Sequence, residues 1–533
     1  MTALSSPLLA EAVPPRLRRR RPVLLGLFAL AVVAGVLLPL AFLCFEASQV
    51  GWSQLWQMLD RAIVASLLWN TVRLALVVTA LCAIAGTTAA FLTERTELPG
   101  RRFFAAALVL PLVIPDFVVA WTWNSVFPGV RGYLGAVLVM TLGLYPLVYL
   151  PVAAAFRSAD PALEEAARSL GLGRAAVFLK VTLRQARSTL LGSSLLVCLA
   201  LLAEYGAFED LGYQTFTTAI FNELQIGFAT AAAAALSLVL VVLSLLALGG
   251  EAFFREKGRL EHLGGASNRP PRRHRLGKAA PFAFAGTAAF LGLALGLPLA
   301  VVAYWVVAGG RSSLPATSSL AAATGYSTLY SAGGALIATL LALPVALYAA
   351  RHPGRISAGL EKCAFLIQAL PGLVVALALT YVVERYLSFL YQSPELLVVC
   401  YSMIFFPLAI VAVRASVAQA PRLLEEIGRT LGSGPLRVRL RVTLPLLLPG
   451  LGAAFCLVFL SGVTELTATL LLVPNGVATL ATQFWGYVGN VSYGAAAPYA
   501  AMMIVLSALP GYLLSRLFDR GAARRRLETG ADR

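Results

Sequence analysis

Apolar runs of about 20 residues recur along the whole 533-residue chain, and each is long enough to cross a bilayer core. Short segments rich in Arg, Gly and Pro separate them. Hydrophobic residues make up 59% of the sequence and charged ones 13%, with a mean hydropathy of +0.80, so too little polar surface exists to cover a soluble fold of this size. A cytosolic enzyme is excluded, and an all-α polytopic membrane protein is expected. Spans are expected near Val23–Phe45, Thr71–Leu92, Phe103–Trp123, Leu134–Ala155, Thr189–Leu211 and Phe228–Ala252. A second set is expected near Ala279–Ala308, Ser327–Ala350, Ala364–Val383, Leu396–Val413, Leu446–Leu472 and Ala495–Phe518.

The net charge of +17 could suggest a nucleic-acid partner, but no such binding signature accompanies it. The basic residues instead mark one side of a membrane. With the N-terminus inside, 37 of the 42 Lys and Arg fall in cytoplasmic segments. Only Arg61, Arg73, Arg131, Arg311 and Arg385 lie elsewhere, a strong positive-inside bias that places both termini in the cytoplasm. The first run, about 23 residues after Arg18–Arg21, is too long for a signal peptide and is expected to be a retained span. Six cysteines form no C-x-x-C pair, and three histidines lie in polar loops. No preformed metal site is expected.

The chain also repeats itself at an offset of 261 residues. Glu164-Glu165-Ala166-Ala167-Arg168-Ser169-Leu170-Gly171 aligns with Glu425-Glu426-Ile427-Gly428-Arg429-Thr430-Leu431-Gly432, and Val181-Thr182-Leu183 with Val442-Thr443-Leu444. An offset of six spans gives both halves the same polarity, the parallel-repeat arrangement of several transporters. The domains are therefore a first repeat over 1–252, a cytoplasmic linker over 253–278 and a second repeat over 279–533.

In each repeat a cytoplasmic loop, near 160–184 and 421–445, reads as a short amphipathic helix. Asp160 suits the N-cap, Pro161 the first turn and Gly171 the C-terminal stop. Glu164 and Arg168 are expected to pair on the exposed side, while Leu163, Ala166, Ala167 and Leu170 line the opposite face. The second copy repeats that stripe with Leu424, Ile427, Gly428 and Leu431. So short a helix is marginal alone. It either docks into a partner or lies on its own bundle.

The pattern Glu165-Ala166-Ala167…Gly171…Val181-Thr182-Leu183, repeated as Glu426-Ile427-Gly428…Gly432…Val442-Thr443-Leu444-Pro445, resembles the EAA loop of binding-protein-dependent ABC importer permeases. The first copy has Arg184 where a proline is expected, and the second has Ile427 and Gly428 for the two alanines. Asn70-Thr71 and Leu98-Pro99-Gly100-Arg101-Arg102 also look like this family. The resemblance implies that the loop helices dock into an ATP-binding subunit, with two copies serving one fused permease. It also implies an extracytoplasmic solute-binding protein and residence in the inner (cytoplasmic) membrane. No G-x-x-x-x-G-K-[ST] run occurs in the chain, so ATP and Mg would be used by the partner, and no cofactor is expected on this chain.

Among such permeases the stretches Ala203–Glu209, Gln214–Asn222 and Thr464–Leu471 look most like the ferric-iron branch, with thiamine permeases a close relative. Glu204 and Glu465 are equivalent positions, 261 residues apart, in the span after each loop. Intramembrane carboxylates are costly and usually face a cavity or a partner, and their hard oxygens suit a hard cation. They are candidates for the substrate pathway. The competing reading is that each caps a broken helix or pairs locally, for instance with Arg73. A proton-coupled secondary transporter is the alternative from another class. Glu94-Arg95…Gly100-Arg101-Arg102 faintly resembles a loop of the major facilitator group, but such carriers lack EAA loops.

Overall fold

The computed structural model describes residues 23–225, 230–261, 273–309, 315–352, 354–420, 422–508 and 510. The N-terminal basic cluster, Arg311, much of the inter-repeat linker and the end of the last expected span lie outside these residues. Among the described residues the chain is helical, with a single isolated backbone bridge between Thr96 and His274.

Among the described residues, six continuous helical rods are long and apolar enough to cross a membrane: Ala62–Arg95, Gly132–Ser158, Ala231–Gly250, Gly277–Ala308, Thr317–Arg351 and Leu436–Val463. Five further candidates are bent pairs, and Tyr493–Ala508 is a shorter apolar helix. Several of the expected spans are bent or broken rather than single rods. Phe103–Trp123 turns by 93° between Arg101–Val113 and Asp116–Val126, and Ala364–Val383 by 99° between Arg355–Ala369 and Gly372–Tyr386. The cause is local. Pro115 and Pro371 force Ile114 and Leu370 into extended backbone and stop each helix before them. Thr189–Leu211 and Leu446–Leu472 also break, because their helices end at Ala203 and Val463 and restart at Gly206 and Thr467.

The repeats exchange their leading helices. Val23–Val36 packs on Thr317–Arg351 of the second repeat, while Leu297–Ala308 packs on Asp116–Val126 of the first. Ring contacts secure the second exchange: Phe104 meets Phe284 at 5.5 Å and Tyr145 meets Phe290 at 4.8 Å. Two apolar cores result, each drawing residues from both repeats. Close helix approach in lipid depends on small residues. Gly86 shows why, since an added Cβ would lie 2.8 Å from Val148 and 2.9 Å from the Tyr149 nitrogen.

Candidate functional site: the paired cytoplasmic loops and the broken helices above them

The first loop helix spans Pro161–Ser169, and the Asp160 carboxylate caps it by accepting from the Ala162 N–H at 2.9 Å. Its far end is closed by Gly171 in the left-handed region at φ +85°. There the Gly171 N–H donates to the Arg168 carbonyl (2.9 Å) and the Leu172 N–H to the Ala167 carbonyl (3.1 Å). These two bonds satisfy carbonyls that a helix end otherwise leaves open. The second helix, Arg422–Thr430, ends in the same way at Gly432, φ +78°, with Ser433 donating to Gly428 at 3.1 Å.

The expected exposed pair is on the wrong side. Glu164 is buried, and its carboxylate accepts from the fully buried Arg95 guanidinium and from Thr182 Oγ1 at 2.8 Å. Arg168 reaches its other oxygen at 4.0 Å. A buried carboxylate needs such partners to be tolerated, so Glu164 fixes the inward face. Ala167 follows it inward and is buried, which removes it from the expected docking stripe. The face that remains outside carries Leu163, Glu165, Ala166 and Leu170, with Leu163 53% and Leu170 82% exposed.

The second loop repeats this construction. Arg351 donates to both oxygens of Glu425, one at 2.7 Å, and Thr443 Oγ1 donates at 2.9 Å. Leu424, Glu426, Ile427 and Leu431 face outward, while Gly428 turns inward, its missing Cβ 3.3 Å from Val438. Each threonine arrives through one wide helical turn, Phe178–Thr182 or Arg439–Thr443, where an extra residue is accommodated before the next span. Sequence reasoning missed these two Arg–Glu–Thr clamps and took Arg95 and Arg351 only as loop charges. The available signal was that both arginines end the second span of their repeat and both threonines keep the 261-residue offset.

Glu204 and Glu465 sit at helix breaks. Glu204 Oε1 accepts from the Ala207 N–H at 2.8 Å, and Glu465 Oε1 from the Ala468 N–H at 3.0 Å. Both are half-buried. The capping reading therefore describes their local bonds. Arg73 is not the partner, since it donates to the Tyr213 hydroxyl at 3.2 Å and lies over the Tyr133 ring at 4.0 Å. The two breaks do converge. A Cβ on Gly206 would meet Leu466 and Phe117 at 2.8 Å each. Among the described residues no three His, Cys, Asp or Glu side chains gather closely enough to hold a metal ion.

Residues 82–255 and 342–524 each match the family described as binding-protein-dependent transport system inner membrane component. The chain belongs to this family. Each match contains one loop helix, its clamp threonine and the following broken span. Among similar permeases is the Fe(3+)-transport system permease protein FbpB 2 of Haemophilus influenzae, 37% identical over 93% of this chain and 99% of its own length. The sulfate transport system permease protein CysT of Salmonella typhimurium is 30% identical over 42% of this chain and 88% of its own. The molybdenum transport system permease protein ModB of Escherichia coli is 28% identical over 34% of this chain and 90% of its own. This chain is thus a multi-pass membrane permease component of an ABC transport system.

Proposed function

We propose that this permease carries ferric iron inward, delivered by an extracytoplasmic binding protein and driven by ATP hydrolysed on two copies of a separate subunit. The observation that carries the coupling part is the pair of apolar stripes, Leu163, Ala166 and Leu170 in one loop and Leu424, Ile427 and Leu431 in the other, left uncovered on helices that each end at a left-handed glycine. Glu165, Gly171, Glu426 and Gly432 frame those stripes, and Ala167 and Gly428 seat the helices on the bundle. The sequence offers no phosphate-binding loop, so ATP and Mg belong to the partner.

The clamps supply the mechanical link. A partner that moves Pro161–Ser169 pulls on Glu164, and through Arg95 on the cytoplasmic end of Ala62–Arg95. The second loop acts likewise through Glu425 and Arg351. The broken helices at Glu204 and Glu465 are where that motion would open a path, with the two carboxylates offered to a passing cation. On this reading both termini lie in the cytoplasm, as the bias of basic residues suggests, and the repeats run over 1–252 and 279–533 with the linker 253–278 between them. The full-length likeness to the Fe(3+) permease supports the iron cargo; thiamine or another small solute is the competing one.

Reconstitution with the ATPase and binding protein tests this reading. Ferric iron on the binding protein should stimulate ATP turnover and enter the vesicles. Stimulation by thiamine instead, or uptake driven by a proton gradient without ATP, would contradict it.

A further inference from the structure

The two segments that lead into the repeats are built alike. Arg275-Leu276 precede Pro281 with the spacing at which Arg16-Leu17 precede Pro22, and Leu297-Pro298-Leu299-Ala300 repeats Leu38-Pro39-Leu40-Ala41 at the same offset. In the first of these segments that lies among the described residues, the end of the linker is docked beside the Arg95–Glu164 clamp. His274 donates its N–H to the Arg95 carbonyl at 2.7 Å, Glu97 donates to the His274 carbonyl at 3.0 Å, and Arg275 pairs with Glu97 at 3.5 Å. Leu276 packs against the core that holds Phe104 and Tyr145. Phe91 meets Phe178 at 4.6 Å and His274 at 6.5 Å, so rings fill the space under the loop.

The second clamp lacks that filling. Leu347 stands for Phe91, Arg439 for Phe178 and Leu25 for Phe284. The two phenylalanines that fill the first site, Phe91 and Phe178, are thereby replaced by a leucine and an arginine, and a cavity of about 650 Å³ lies there, with Leu343, Leu347, Leu447, Arg351 and Glu426 in its lining. Leu25 lines it from the leading helix, which begins at Val23. Leu17 lies six residues before Val23, a reach of up to about 20 Å in extended chain.

We propose that the segment Pro14–Arg21 docks on the second clamp, with Leu17 in this cavity and Arg16 at Glu426. Each coupling loop is then braced by the segment leading into the opposite repeat. The attachment differs in kind between the two sides. Pro15 holds the position of His274 and has no N–H to donate, and His352 alone replaces Thr96-Glu97-Leu98 in the shorter second loop. The first brace uses backbone bonds; the second uses a buried leucine and an ion pair.

A benzophenone side chain at position 17 of the full chain, irradiated in membranes that contain the assembled importer, reads the neighbour directly. Most of the adduct should map to 343–347 and 440–447, while the same probe at position 276 maps to 91–98. Filling the cavity with Leu343→Trp, in chains that still retain the ATPase, should abolish the position-17 adduct and spare the position-276 one. Adducts to phospholipid would mean that Arg351, Arg429 and Arg439 hold a lipid phosphate there instead. That result, adducts mainly to the ATPase, or a position-17 adduct that survives Leu343→Trp would each overturn the proposal.

Discussion

The two coupling loops share glycine stops and Arg–Glu–Thr clamps, yet they are sealed to different depths. Arg95 is 0% exposed under a linker held by backbone bonds; Arg351 is 22% exposed beside a cavity lined by Leu343 and Leu347, where the proposed brace makes no backbone bonds. Duplication kept the bonds that orient each helix and relaxed the packing around one of them. The orienting chemistry is therefore the part on which both halves depend, while the packing sets how firmly each loop is held.

Removing a clamp acid should show the difference most strongly. Glu164→Ala leaves a fully buried arginine without its partner, an effect of about 3–5 kcal/mol for a buried pair. Glu425→Ala exposes Arg351 to solvent and should cost clearly less. Thermal unfolding of the two purified variants, together with their ATP coupling, checks the order; equal losses would erase the proposed asymmetry.

The glycine stops predict equality instead. Gly171→Ala and Gly432→Ala each force a side chain into left-handed backbone, at about 1–2 kcal/mol, and no neighbour lies within 4 Å of either new Cβ to alter that figure. Matched shifts in melting temperature are expected, and a large difference would point to contacts outside the loop.

Loop ordering gives a smaller contrast. Gly428 stands where the first helix has Ala167, and glycine in a helix interior costs about 1 kcal/mol relative to alanine. Hydrogen exchange on the isolated permease should be faster across Leu424–Leu431 than across Leu163–Leu170. Gly428→Ala should narrow the gap if Val438 can yield a few tenths of an ångström.

The smallest effect belongs to His274. Burial, and then the charges of Arg168 and Arg95, hold its imidazole below the ordinary range, with Arg174 adding to this and Glu164 opposing it. The docked linker thus resists the proton that a free linker accepts, so docking is at full strength above the ordinary imidazole value and weakens as pH falls through it. Protease access to the linker should rise on acidification in the wild-type chain and stay flat in His274→Gln.

Much of this was legible from residues alone. Apolar run lengths and basic-residue bias reveal a polytopic helical protein, and the 261-residue register reveals the duplication and the loop helices with their caps. Span shape was less legible, because a run of apolar residues reads the same whether or not Pro115 or Pro371 bends it sharply. The orientation of the loop helix was misread for a related reason. An i,i+4 acid–base pair such as Glu164 and Arg168 normally marks a solvated face, and only the third partner, Arg95, sixty-nine residues away in sequence, turns that face inward. Glu204 and Glu465 are equivalent by the 261-residue register, but their bonds to Ala207 and Ala468 depend on a helix break that hydropathy does not register.

The central claim, that the outward stripes grip the ATPase, is tested most directly by placing a charge on each. Leu170→Asp combined with Leu431→Asp alters two highly exposed side chains and leaves both clamps and both glycine stops intact. The double variant should insert and melt like the wild type, fail to retain the ATPase on purification, and show no substrate-stimulated ATP turnover. Full retention and normal stimulated turnover in a correctly inserted double variant would contradict the account.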